Sequence, residues 1–197
     1  MRNIPRVLVL LALAVPALML TAAFAAQTPP AQAQNSGLDP AQVADLVLAD
    51  HILANEGLLD GYGHVSVRSS RNPNHFLLSR SMPPALVTAA DIFEYDFDAN
   101  PIQKDAPAGF IERYIHSEIY RARPDVMAIV HTHAPDVIPF TVTNVPLRPM
   151  IHVAGFIPQT VKVFDNRNVA GMTDLLIRTP ELGHAMAQAL GSDPMIL

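Results

Sequence analysis

The segment Ala128-Ile-Val-His-Thr-His-Ala-Pro135 leaves few options for the chain around it. An apolar run, Val126 to Val130, feeds directly into His131 and His133, and such a run predicts a buried strand. Alternate side chains of a strand share a face, so the two imidazoles project together, and at that spacing they can grip a transition metal. Ala134-Pro135 stops the strand just past the pair and puts it at an exposed end. A lone histidine is more often a packed polar residue. A pair at the end of a buried strand, directly after an acid-bearing helix, points to metal binding.

The 197 residues allow one domain with its own core once a leader is removed. Net charge is −5 and the 13 Lys and Arg residues are scattered, which gives no nucleic-acid-binding signature. With no cysteine there is no disulfide, thiolate zinc site or cysteine nucleophile, so His, Asp or Glu must hold any metal. Arg2 and Arg6, the apolar stretch Val7 to Ala25 and the small residues Ala23 and Ala25 predict a signal peptide over residues 1–25. Residues 26–37, rich in Gln, Pro and Ala, read as a disordered linker, and 38–197 as the domain. A periplasmic or secreted location follows as the expectation.

Asp39 as cap and Pro40 at the first helical position open a helix that Gly57 stops. His51 on it is expected at a surface. Strands are expected over 64–68, 75–79 and 91–98, with His75 assigned to the preceding loop. A helix is expected over 109–123, with Glu112 and His116 four apart on one face. A short helix or turn over 138–142 and a short strand over 161–164 follow. The last helix opens at Thr179-Pro180, and 195–197 begin another strand. This order predicts an α/β fold, a three-layer αβα domain with a mixed, largely antiparallel central sheet.

Four pieces together resemble the class II aldolase/adducin family. They are Gly63-His-Val-Ser-Val-Arg68, the Glu112-x-x-x-His116 helix running to Arg123-Pro-Asp-Val126, the His131/His133 strand, and Ile151-His152. The resemblance implies that His131 and His133 bind one divalent ion, zinc or manganese, and that Glu112 is the catalytic acid/base, able to approach the metal. It also implies a third histidine a few residues beyond Leu197, so the chain is expected to stop short of that ligand. His152 and His184 do not match its position. A homo-oligomer, a tetramer or larger, is implied as well.

Sugar-phosphate aldolases of this family place Asn where this chain has His64, and a Ser-Ser pair where it has Phe110-Ile111. A phosphorylated sugar is therefore not expected. Phe76-Leu-Leu-Ser-Arg-Ser81, Arg148-Pro149 and His152-Val-Ala-Gly-Phe156 are similar to the decarboxylase branch instead. His64, Ser79, Arg80 and Ser81 are expected to hold a substrate carboxylate, with Arg80 offering two-pronged hydrogen bonds and His152 facing substrate. Arg68 is expected to be structural. The implied function is a metal-dependent carbon–carbon lyase, decarboxylase-like, acting on a small hydroxy or oxo carboxylic acid through an enolate. The alternatives are a retro-aldolase on an unphosphorylated hydroxy-oxo acid, and a non-catalytic adducin-like module or inactive fragment.

Overall fold

The computed structural model describes residues 37–197; the expected signal peptide and the expected linker up to residue 36 lie outside the described residues. Helix α1 spans Pro40–Asn55, and the Asp39 carboxylate accepts from the Ala41 amide at 3.0 Å. Strands β1 (His64–Arg68), β2 (His75–Ser79), β3 (Ile92–Asp96) and β4 (Ala128–His131) form one sheet in the order β3-β2-β1-β4. All three pairings are antiparallel. The parallel contribution expected of a mixed sheet is a single bridge, Lys162 to Ile196. Residues 161–164, expected as a strand, form no strand; they contribute that bridge, two hydrogen bonds between Lys162, Phe164 and Leu197, and one from the Val161 amide to the Leu147 carbonyl.

Strand alternation sorts the core into two layers. Val65, Leu77 and Ile92 pack with Val43 and Leu46 of α1. Phe76, Leu78, Phe93 and Tyr95 pack on the opposite side with Phe110 and Tyr120. Helix α2 (Arg113–Ala122) belongs to that second layer and packs against α5 (Pro180–Leu190) through Ile115, Ile119, Leu182 and Leu190. Two short helices, α3 (Pro139–Val142) and α4 (Arg167–Ala170), lie between β4 and α5. The result is the expected three-layer arrangement. Among the described residues no helix is long and apolar enough to cross a membrane.

Two boundaries differ from expectation in ways that matter for the site. Helix α2 starts at Arg113, not Gly109, because Gly109 bridges to Arg80 and the Ala108 carbonyl accepts from the Ser81 amide. Glu112 therefore sits at the cap position before the helix, not on its face. Strand β4 ends at His131, so His133 lies in the turn beyond it. His75 is the first residue of β2, not part of the loop, and its Nδ1 lies 3.2 Å from the Glu94 carboxylate.

Arg68 closes the frame. Its guanidinium donates to the carbonyls of Val126 (3.0 Å), Pro73 (2.5 Å), Tyr120 (2.8 Å) and Arg123 (2.9 Å). It also lies over the Tyr120 ring, 4.9 Å from the centroid. One buried cation thus ties the end of β1 to the end of α2 and the turn leading into β4, a structural role of the expected kind.

Candidate metal centre

His64 and His131 are direct cross-strand partners in the β1–β4 register, so their side chains share a face. The ring centroids are 4.9 Å apart. The turn after β4 brings His133 back beside them, with its ring 4.9 Å from that of His131. Thr132 fixes this turn, its hydroxyl donating to the Leu58 carbonyl and accepting from the Ala134 amide. Gly63 allows the close approach, since a Cβ there would lie 3.1 Å from the His131 carbonyl oxygen.

His133 donates from Nδ1 to Asp60, 3.2 Å from each carboxylate oxygen. That carboxylate accepts in turn from the amides of Tyr62 (2.9 Å) and Gly63 (2.7 Å). Burial alone would raise the Asp60 pKa, but these amides and His133 hold it below the ordinary value. A carboxylate on one ring nitrogen leaves the other as a lone pair, the usual preparation of a histidine ligand. Glu112 is held from the far side, its Oε1 accepting from the Ile177 amide at 3.0 Å while Oε2 lies 3.9 Å from His131 Nε2. Burial pushes its carboxyl above the ordinary range.

Burial disfavours the charged form of the three enclosed imidazoles, His131, His64 and His116. His131 is pushed down to about 4 by burial and then by His133, and His64 to about 3 by burial and then by His131. Burial lowers the fully enclosed His116 as well. Two overlapping groups place ligand atoms within 4.8 Å of one another: Glu112, His131 and His133, and the inner set His64, His116 and His131. The outer group combines two nitrogens and a carboxylate oxygen, a donor set suited to zinc and similar divalent ions. Glu112 and His131 also line a cavity of about 310 Å³, with Phe164, Asn166, Ile177 and Leu197 among its other walls.

The structure thus gathers four of the residues singled out in the sequence: Glu112, His131, His133 and His64. The others lie elsewhere. Ser79 is buried in β2 with its hydroxyl unpartnered, while Ser81 is exposed and outside the cavity lining. The Arg80 Nε donates to Asp91 at 2.7 Å, so its guanidinium already has a carboxylate partner. His152 is exposed on a short turn over His152–Ala154 and does not line the cavity. His184 is exposed on α5, 3.5 Å from Glu118. Sequence reasoning missed Asp60, which reads as part of a Gly-rich turn, and Asn166, which carries no pattern.

The chain is similar to known proteins over most of its described length. Decarboxylase tropJ of Talaromyces stipitatus is 42% identical over 147 residues, covering 72% of this chain and 55% of the relative. A 3,4-dihydroxyphthalate decarboxylase of Arthrobacter keyseri is 34% identical over 167 residues, covering 77% and 63%. The chain therefore spans less than two thirds of the length of either. In structure it is similar to L-fuculose 1-phosphate aldolase from Glaciozyma antarctica PI12, with TM-score 0.62 and 25% identity over 79% of this chain and 59% of that one. Residues 44–197 match the Class II Aldolase and Adducin N-terminal domain. That match runs from α1 through every strand and helix that frames the histidines, and by it the chain belongs to the class II aldolase and adducin N-terminal domain family.

Proposed function

We propose that this chain is the core of a metal-dependent carbon–carbon lyase that decarboxylates a small hydroxy or oxo carboxylic acid. The observation that carries the reading is the Glu112, His131 and His133 cluster, whose ligand atoms lie within 4.8 Å of one another beside a cavity. The likeness of the chain to two decarboxylases supports the choice of reaction. His131 and His133 would hold zinc or manganese, with Glu112 close enough to join them. A divalent ion there supplies Lewis-acid stabilisation of charge developing on a substrate oxygen.

The remaining chemistry belongs to the chain. Asp60 keeps the His133 proton on Nδ1. The Ile177 amide anchors one oxygen of Glu112, so the other faces His131 and the cavity. The raised pKa of Glu112 suits a group that takes up a proton and returns it to the carbon left when CO2 departs. Export, to the periplasm or the exterior, and assembly into a homo-oligomer remain part of the proposal.

The test is CO2 release from hydroxylated phthalates and related hydroxy acids by the zinc- or manganese-loaded chain. Glu112→Gln is expected to lower kcat by about 10²-fold or more. Aldehyde release without CO2 would move the assignment to the retro-aldolase. Undiminished turnover in Glu112→Gln would remove Glu112 from the chemistry.

A further inference from the structure

His64 is expected from sequence to touch substrate, yet it is only 1% exposed and does not line the cavity. Its ring stacks on Phe110 with centroids 3.9 Å apart. Its Nδ1 faces the Tyr62 carbonyl at 2.9 Å. A carbonyl can only accept, so the neutral ring carries its proton on Nδ1 and Nε2 is a bare lone pair. That nitrogen is sealed from solvent and has no partner.

Across the strand pair, His131 has the complementary need. Its Nε2 faces Glu112, while its Nδ1 is buried and unpartnered. If Nε2 ligates an ion, the neutral ring must carry its proton on Nδ1, and that buried N–H requires an acceptor. The His64 and His131 rings stand edge to face at 65° with centroids 4.9 Å apart, and the two nitrogens are not hydrogen-bonded in this orientation, so the bond requires a turn of the His131 ring; His116, at 6.4 Å, lies farther away. The Nδ1 of His116 is already engaged at 2.7 Å by Ser66 Oγ, which also contacts Tyr120.

We propose that His64 is a positioning residue, accepting the Nδ1–H of His131 through its own Nε2 and thereby fixing the tautomer and ring plane in which His131 ligates the metal. This rests on the metal-centre reading above and deepens it. His64 acts on the reaction only through His131. The arrangement also accounts for a histidine at this register position, directly opposite the ligand, with a carbonyl behind it to dictate which nitrogen is free.

The experiment uses the full chain. Zinc affinity is measured by competition with a chelating dye for wild type, His64→Leu and His64→Asn, with folding monitored by circular dichroism. Nitrogen-15 spectra of the histidines are recorded on the zinc-loaded wild type. His64→Leu is expected to weaken zinc binding about 10- to 100-fold, as loss of an outer-shell partner does. His64→Asn, whose amide oxygen can accept, is expected to recover most of it. In the spectra, His64 and His131 should both be Nδ1–H tautomers, with a scalar coupling between His131 Nδ1 and His64 Nε2.

Equal zinc affinity in all three proteins, or a His131 proton on Nε2, overturns the inference while leaving the metal centre intact. So does a second equivalent of zinc that disappears in His64→Leu, which would show the inner nitrogens closing on an ion. A wild type that takes up no zinc instead overturns the metal-centre reading beneath it.

Discussion

Asp50 is a buried acid that the metal centre does not use. It lies on α1 with no exposure, one oxygen accepting from the Val65 amide at 3.2 Å and the other without a partner. Burial raises its pKa from 3.8 to about 7. Between those values the folded state binds a proton that the unfolded state releases, so this residue makes stability fall as pH rises through the window. The contribution is on the order of 4 kcal/mol across it. Urea denaturation of Asp50→Asn beside wild type, from pH 4 to 8, should show the variant gaining relative stability as pH rises; a constant difference would contradict the assignment. Asp50 falls on the helical spacing of Val43, Leu46 and Val47, but an acid in a helix is ordinarily solvated, so the sequence does not mark it as buried. His131 was legible from the strand it ends, and Glu112 from the family resemblance; His133 was expected on the same strand face, and the turn after β4 brings it beside His131 instead. Asp60 was not legible, because its contact with His133 depends on how the loop before β1 meets the turn after β4.

Elements were legible where local chemistry decides them. The Asp39 cap with Pro40, the Thr179 cap with Pro180 and the strands at 64–68 and 75–79 all fall where propensity and alternation place them. The start of α2 was not legible, because Gly109 is taken into a bridge with Arg80 that only the tertiary fold supplies. That shift sets Glu112 at the mouth of the helix, where the Ile177 amide can reach it. The α2–α5 crossing depends on Gly183, where an added Cβ would fall onto the Tyr114 carbonyl. Backbone cannot yield as a flexible side chain can. Gly183→Ala is therefore expected to destabilise the fold by about 1–3 kcal/mol, read from the midpoint of urea unfolding. An unchanged midpoint would show that the two helices are free to separate.

At the scale of the molecule, the layers follow from pattern. Leu77 feeds the α1 layer while its neighbours Phe76 and Leu78 feed the α2 layer, and this alternation is visible in the sequence. The antiparallel order β3-β2-β1-β4 is what makes the site, since it sets β4 beside β1 and so His131 beside His64. The decisive measurement is metal content. The chain is loaded with excess zinc, desalted and assayed for bound metal by mass spectrometry, alongside His131→Ala and His133→Ala. One equivalent in the wild type, lost in both variants, is the predicted result. A folded wild type that retains no zinc, or a His131→Ala chain that keeps a full equivalent, would contradict the account.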